Sequence, residues 1–468
     1  MANPEKKVMR VSYRIRRLPA TLTSALVVFI SLSASPSDAL AQQLVATPLT
    51  LGDAARLAAN QSAPSLSARL RAREAAARVV QTRAELLPSL NALALQNGHT
   101  LNSATFGIDF PTPAGQKPFF DPNGQVIGPI NTLDVRARVT VPAVDFAARE
   151  RVTSARLAER ASDASARSAA ENAAAAAALA YLRATRADAI VQARAADSLL
   201  ADSLVSIARD QLTAGVGVAL DVTRAQSQLA GVHAQLIAAR GDQSRTRLEL
   251  VRAIGAPLDF PVALATPLQA MPVSNDVPSE ADAVALALKE RPDLVAAQRA
   301  LEAGRQNTRA IRAERLPTLA AFGDEGAIGK TPAHMINTYN WGVQLSLPIL
   351  DGFRREGRVS EQEAVAAGLE LDRRELERQV AVEVRSAIID LASARDQVDA
   401  AKERLRLGQQ EYAQAQDRFR AGVAGNADVV TASLALNSAR NLLIDALAAY
   451  QTARVQLARA EGTATALP

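Results

Sequence analysis

Two stretches of the chain, from about Asp145 to Leu212 and from about Asp351 to Phe419, contain no proline and little glycine. At 1.5 Å per residue each predicts a helix of nearly 70 residues, roughly 100 Å long. Helices of ordinary globular domains average only about a dozen residues, so a rod of this length excludes a simple compact fold. In the later stretch Val384, Leu391, Val398, Leu405, Tyr412 and Phe419 recur every seven residues, with Ala387, Ala394, Ala401, Gly408 and Ala415 between them. Large side chains alternating with very small ones predict a coiled-coil seam in which two helix axes approach closely. The earlier stretch carries a weaker seam, Ala184, Val191, Ser198, Val205 and Leu212 with Ala180, Ala187, Ala201 and Ala208 between, interrupted by Arg194. The alanine run Ala173–Ala178 is read as close helix packing. Each rod ends in a glycine turn, at Gly215 and Gly422, after which a second helix runs back.

The chain repeats its main piece. Arg83-Ala84-Glu85-Leu86-Leu87-Pro88-Ser89-Leu90 recurs as Arg312-Ala313-Glu314-Arg315-Leu316-Pro317-Thr318-Leu319, an offset of 229. Val139-Thr140-Val141-Pro142-Ala143-Val144-Asp145 recurs as Leu345-Ser346-Leu347-Pro348-Ile349-Leu350-Asp351, an offset of 206. Ala214-Gly215-Val216 and Asp221 recur as Ala421-Gly422-Val423 and Asp428, an offset of 207. Three matches in one order predict a tandem duplication, 49–256 and 279–463, joined by 257–278. Each copy reads helix, helix, strand, strand, very long helix, turn, helix. The opening helices break near Pro64 and Pro292 and stop before Pro88 and Pro317.

Between helices the period changes to two. Leu133, Val135, Ala137, Val139 and Val141 alternate with Asp134, Arg136, Arg138 and Thr140, and Trp341, Val343, Leu345 and Leu347 alternate with Gly342, Gln344 and Ser346. These are strands with one apolar and one polar face, over about 133–141 and 339–347. Partner strands over about 89–96 and 318–325 are less distinct. The two strand segments hold Phe106, Phe110, Phe119, Phe120, Phe146, Phe322, Tyr339, Trp341 and Phe353. A soluble sandwich would bury such aromatics; a membrane barrel would hang some of them at the headgroups. The rods favour the barrel. Asp145 and Asp351, just past the strand-ending prolines, are candidate helix caps. Four strands cannot close a barrel, for which about eight are needed, so the chain is expected to associate, and three copies supply twelve.

The net charge of +5 invites a nucleic-acid reading, but the charge is concentrated at the start. Residues 1–41 hold six basic side chains and two acidic ones, so the remainder carries about +1, with no bulk attraction for phosphate. Those residues read as a cleaved export signal: a basic start, an apolar stretch from about Leu22 to Leu32, and Ala39-Leu40-Ala41 before Gln42. The absence of cysteine excludes a disulfide scaffold, a thiolate metal site and lipid attachment at the cleavage point.

In the duplication, the Arg-Ala-x-x-x-Pro-x-Leu segments, the strand-Pro-x-x-Asp exits and the Ala-Gly-Val turns followed by Asp221 and Asp428, the chain resembles the TolC-type outer membrane efflux proteins. The resemblance covers about Leu49 to Thr463. It implies a mainly α fold with a transmembrane β part: a homotrimer whose twelve-stranded outer membrane barrel continues as an α-helical barrel across the periplasm, the 257–278 segment lying at its equator. It also implies the exit duct of a tripartite efflux or type I secretion system, docked through its tips to a periplasmic membrane-fusion adaptor and an inner membrane transporter of RND, ABC or MFS type, with no cofactor. Carried over, Asp428 falls on the first aspartate of the family's aperture pair and Thr431 on the second. Asp221 is the first-copy counterpart, Phe419 falls on a tip tyrosine, and Ala424 stands where some members have arginine. Gly215, Val216, Phe419, Gly422 and Val423 are the implied docking tips.

From the residues alone, rings of Asp221 and Asp428 would favour cations, but an aspartate in the first turn of a helix also complements its dipole with no pore role. Gly326-Ala327-Ile328-Gly329-Lys330-Thr331 ends like a phosphate-binding loop but has Asp324 where the motif requires glycine, and is expected to be an external loop. His99, His233 and His334 are scattered without metal spacing and are expected at the surface. No catalytic constellation emerges. Two function classes remain: a passive outer membrane channel, and a periplasmic coiled-coil scaffold whose strands form a small soluble sandwich.

Overall fold

A computed structural model describes residues 48–106, 115, 124–274 and 276–468. The export signal read over 1–41, and Phe110, Phe119 and Phe120, lie outside the described residues. Helix α1 (Leu51–Gln61) opens on a reciprocal cap: the Asp53 amide donates to Thr50 Oγ1 at 3.0 Å and the Thr50 amide to Asp53 Oδ2 at 3.2 Å. Helix α2 (Ala63–Ala84) starts with Pro64 in its first turn, where a missing N–H costs nothing. Strands β1 (Ser89–Asn102) and β2 (Val126–Val144) follow, then α3 (Phe146–Thr213) and α4 (Ala219–Ile254). The order recurs as α5 (Glu280–Glu290), α6 (Pro292–Ala313), β3 (Thr318–Gly329), β4 (Met335–Ser346), α7 (Arg354–Arg420) and α8 (Asn426–Glu461).

Helix α3 has 68 residues and α7 has 67, about 100 Å each at the standard rise. Along the half near the sheet, α2, α3, α6 and α7 pack side by side; along the half near the turns the sequence is α4, α3, α8 and α7. The result is a wall four helices wide, thickened midway by α1, α5 and the segment after α4. Its main core lies at that level, where Tyr181, Leu182, Leu250, Ile254, Leu268, Val380 and Val384 are fully buried. Five of the six residues Ala173–Ala178 are buried there, Ala176 alone facing out, which is what helices brought close by small side chains require.

The two exits from sheet to rod differ. Asp145 caps α3, accepting the Ala148 amide at 2.8 Å. Asp351 does not cap α7. Gly352 and Phe353 both take left-handed backbone, φ 68° and 62°, which delays the helix to Arg354, and Asp351 instead pairs with Arg355 at 3.4 Å. One link is common to both copies. Glu85 meets Arg151 at 2.8 Å and Glu314 meets Arg358 at 2.7 Å, tying the helix that enters the sheet to the helix that leaves it. The glutamate of each repeated Arg-Ala-Glu segment thus has a structural role that its spacing alone did not reveal.

The four strands form one antiparallel sheet in the order β1-β2-β3-β4, with all four helix connections at one end. Strands β1, β2 and β3 run past the stretch where alternation is clear, and β4 starts earlier but ends at Ser346, one residue short of it, because a pairing neighbour, and not the face pattern, decides how far a strand extends. Gly326–Gly329 is the end of β3 and not a loop. Gly326 pairs with Arg136, and a Cβ there would sit 2.2 Å from the Val135 carbonyl oxygen, so glycine is what the close approach of the two strands allows.

Candidate functional site

At the end of the wall far from the sheet, both rods turn in the same way. Gly215 and Gly422 take φ 74° and 72°, a left-handed conformation that glycine adopts without strain. The amides of Val216 and Val423 then bond back to the carbonyls of Gln211 and Arg418, at 3.0 and 3.1 Å. Val216 and Val423 are left projecting, at 78 % and 69 % exposure. Beneath them Leu204, Val205, Ala208, Ala225, Tyr412, Phe419, Val429, Ala432 and Leu436 form a second small core joining the hairpin α3–α4 to the hairpin α7–α8. Two side chains stitch the hairpins together: Gln211 Nε2 donates to the Phe419 carbonyl at 2.9 Å, and Asn426 Nδ2 to the Asp221 carbonyl at 2.7 Å.

The sequence-assigned polar residues sit one turn in from these tips. Asp221 and Asp428 occupy the first turns of α4 and α8, as both the pore reading and the dipole reading require. The Asp221 side chain is mostly covered, with Arg224 Nη1 at 3.7 Å. Asp428 is exposed, with no ion pair among the described residues. Thr431 is exposed too, and its hydroxyl donates to the Ala427 carbonyl at 3.0 Å, within its own helix. Phe419 does not project: it is 2 % exposed and belongs to the small core beneath the tip.

Several residues here escaped sequence reasoning. Asn426 is wholly buried, and the duplication offers no warning because its first-copy counterpart is Ala219. Arg194, which interrupts the first seam, is one side of a buried cluster: Asp197 lies between Arg194 at 3.2 Å and Arg440 at 2.6 Å. Burial pushes the Asp197 carboxyl above the usual carboxylate range against the pull of both guanidiniums. With Arg186–Asp445 at 2.6 Å, this cluster fastens α3 of the first copy to α8 of the second.

The sheet forms the other half of the site, and its polarity is the reverse of a soluble sheet. Trp341, Val343 and Leu345 of β4 are 75 %, 64 % and 68 % exposed, and Val135, Val139 and Val141 of β2 face the same side. The opposite face holds the ion pairs, while Glu325, paired with Ala137 and Tyr339, is an exposed carboxylate on the apolar side. Asp324 accepts from Arg136 Nη1 at 2.9 Å and Arg138 Nη2 at 3.0 Å, and Asp134 holds Arg136 from the other side at 2.7 Å. Phe322 lies on this face against Gly342, where a Cβ would meet the ring at 2.9 Å. Strands β1 and β4 have a free edge each among the described residues. No described helix is long and apolar enough to cross a membrane. His99, His233 and His334 are all exposed, on β1, α4 and the β3–β4 turn.

Known proteins share this arrangement. The alkaline protease secretion protein AprF of Pseudomonas aeruginosa is 28 % identical over 257 residues, 53 % of this chain and 52 % of AprF. The probable efflux pump outer membrane protein TtgC of Pseudomonas putida is 25 % identical over 264 residues, 53 % of this chain and 51 % of TtgC. The chain spans about half the length of the curated relatives it matches. Among solved structures, the Campylobacter jejuni CmeC outer membrane channel superposes with a TM-score of 0.72 at 16 % identity, over 88 % of this chain and 86 % of that one. The Vibrio cholerae outer membrane protein VceC gives 0.71 at 18 % identity, over 88 % and 96 %. These likenesses fix the fold as that of the TolC-like channels. The family description "Outer membrane efflux protein" matches the sequence twice, over residues 56–256 and 283–463, and with both halves accounted for the chain belongs to the outer membrane efflux protein family.

Proposed function

We propose that the chain is one third of a passive exit duct through the outer membrane. Three sheets, edge to edge, close a twelve-stranded barrel, and three helical walls continue it as a tunnel into the periplasm. The observation that carries the reading is the sheet's inverted polarity: a mainly apolar face turned outward, the ion-paired side chains on the other face, and two open edges. Lipid covers such an apolar face, and water fills the polar side. A soluble sandwich would need a second sheet stacked on the apolar face, and the described residues contain none.

In this reading the tips are the narrow end. Val216 and Val423 are the apolar points offered to a periplasmic adaptor, with Gly215 and Gly422 setting their turns and Phe419 supporting them from beneath. Asp428, with Asp221 and Thr431 beside it, lines the aperture, where three copies of an exposed carboxylate favour cations. In the same reading the duct is passive, and its opening is driven by the adaptor and the inner membrane transporter. The test is reconstitution: the chain fractionates with outer membranes, runs as a heat-sensitive trimer in mild detergent and conducts ions in a planar bilayer. A water-soluble monomer without conductance would refute the duct.

A further inference from the structure

The charges on the polar face of the sheet balance in number but not in position. Among the described residues of the four strands, this face carries Asp134, Arg136, Arg138 and Asp324, two of each sign. Strand pairing sets Asn91, Arg138, Asp324 and Asn340 in one rung across the sheet, with Arg136 in the next rung on the same face. The Asp324 side chain is fully covered and lies against both arginines. Arg136 is engaged on every side: its Nε and Nη2 meet Asp134 and its Nη1 meets Asp324, and the Arg136 and Asp134 side chains are only 21 % and 18 % exposed. Arg138 differs. Its one contact is from Nη2 to Asp324 at 3.0 Å, its Nε and Nη1 have no partner among the described residues, and its side chain is 54 % exposed.

The polar face therefore offers water a guanidinium with open donors, while the carboxylates that balance it are largely covered. Holding Asp324 does not require this exposure, because Arg136 already reaches both carboxylates. Nor does the exposure depend on how copies associate: both neighbours of β2, which are β1 and β3, belong to the same chain.

Resting on the reading of this face as the water-filled lining of the duct, we propose that Arg138 is a specificity-determining contact of the barrel. Its copies form a cationic collar that favours carboxylate, phosphate or sulfonate groups on the molecules that pass. A planar guanidinium with free N–H groups matches the spacing of such oxygens. The sign is opposite to that of the aspartates at the far tips, so selectivity measured across the whole duct blends the two and a local probe is needed.

The chain has no cysteine, so one introduced thiol reads the local potential. Asn91→Cys, at an exposed position directly opposite Arg138, is the reporter in full-length protein in outer membranes. Its reaction rates with sulfonatoethyl methanethiosulfonate, an anion, and trimethylammonioethyl methanethiosulfonate, a cation, are compared with the same ratio for free mercaptoethanol. The salt is kept at about 10 mM, where the screening length is about 30 Å. The anion-to-cation ratio should exceed the free-thiol value about fivefold, fall to it or below in Arg138→Gln, and stay raised in Arg138→Lys, which keeps the charge. The ratio with Arg138 in place fixes the sign even where Arg138→Gln does not assemble. Thr140→Cys, two residues along β2 on the same face, is the second reporter. A ratio at the free-thiol value, or one that Arg138→Gln leaves unchanged, in proteins that run as heat-sensitive trimers, overturns the collar and leaves the duct standing. Reporters that neither reagent reaches until the protein is denatured show a face closed to water, and overturn the duct and the collar together.

Discussion

Phe419→Ala should release the tips. The ring is 2 % exposed in the small core that joins the two hairpins, and the other link from the α7 tip to α3, from Gln211 Nε2, goes to the Phe419 backbone carbonyl and survives the substitution. An aromatic side chain buries at least about 150 Å², worth roughly 4 kcal/mol at 25 cal/mol per Å², and phenylalanine-to-alanine changes in cores cost about 3–5 kcal/mol. At about 1.4 kcal/mol per factor of ten, local opening of the tip should rise by two to three orders of magnitude. The perturbation is confined to the tip, because the main core lies at the middle of the rods. Native-state hydrogen exchange on detergent-solubilised trimers should show it in α3 after Leu204 and in α7 after Tyr412, with the amides around Tyr181 unchanged. Phe419→Leu, which keeps most of the volume, should lose about 1 kcal/mol. In planar bilayers the alanine variant should also show a higher resting conductance. Tip exchange within about threefold of the parent would refute the role given to this ring.

Three further outcomes are expected. Asp428→Asn should reduce cation preference in reversal-potential measurements more than Asp221→Asn, because Arg224 at 3.7 Å already offsets Asp221; the opposite ranking would refute the assignment. Gly408→Ala should raise the unfolding temperature by an amount equivalent to about 1 kcal/mol, from helix propensity, since its Cβ would meet Ala439 and Leu436 at 3.5 and 3.6 Å, ordinary contact distances. Gly408→Leu should overpack the seam and cost about 1–3 kcal/mol in the same thermal assay, and a stabilising leucine would contradict the close approach of α7 and α8. Burial raises the Glu461 carboxyl above its ordinary range, so its ionised form costs stability above the folded pKa, and that cost fades as pH falls and the group takes up its proton. Glu461→Gln should therefore raise the unfolding temperature at pH 8 and match the parent below about pH 4, where both side chains are neutral. A gain independent of pH would count against burial as the cause.

The rods, the tip glycines and the alternating strands were legible because each depends on a period or a punctuation mark carried by the sequence itself. Val384, Leu391, Val398, Tyr412 and Phe419 of the heptad seam are indeed buried. What depended on a partner from elsewhere was not legible. Asp351 shares the preceding Pro-x-x-Asp segment with Asp145, yet Gly352 and Phe353, which stand where the first copy has Phe146 and Ala147, take left-handed backbone and move the helix start past it. Arg194 looked like a defect because Asp197 answers it on the same helix and Arg440 answers Asp197 from about 240 residues away. Gly326 looked like loop punctuation because the backbone it approaches belongs to β2. Asn426 and the paired glutamates Glu85 and Glu314 carried no periodic signal at all.

The wall's open flanks have a genetic corollary. If three identical staves close the tube as proposed, it is only as sound as its weakest stave, and each defective copy spoils one of the three contacts in the ring that contains it. When a normal and a defective copy are made in equal amounts and mix freely, roughly one ring in eight is free of the defect. Substitutions along the edges of β1 and β4 should therefore behave as dominant alleles. Those buried in the main core, which stop a chain from folding before it can join a ring, should be recessive.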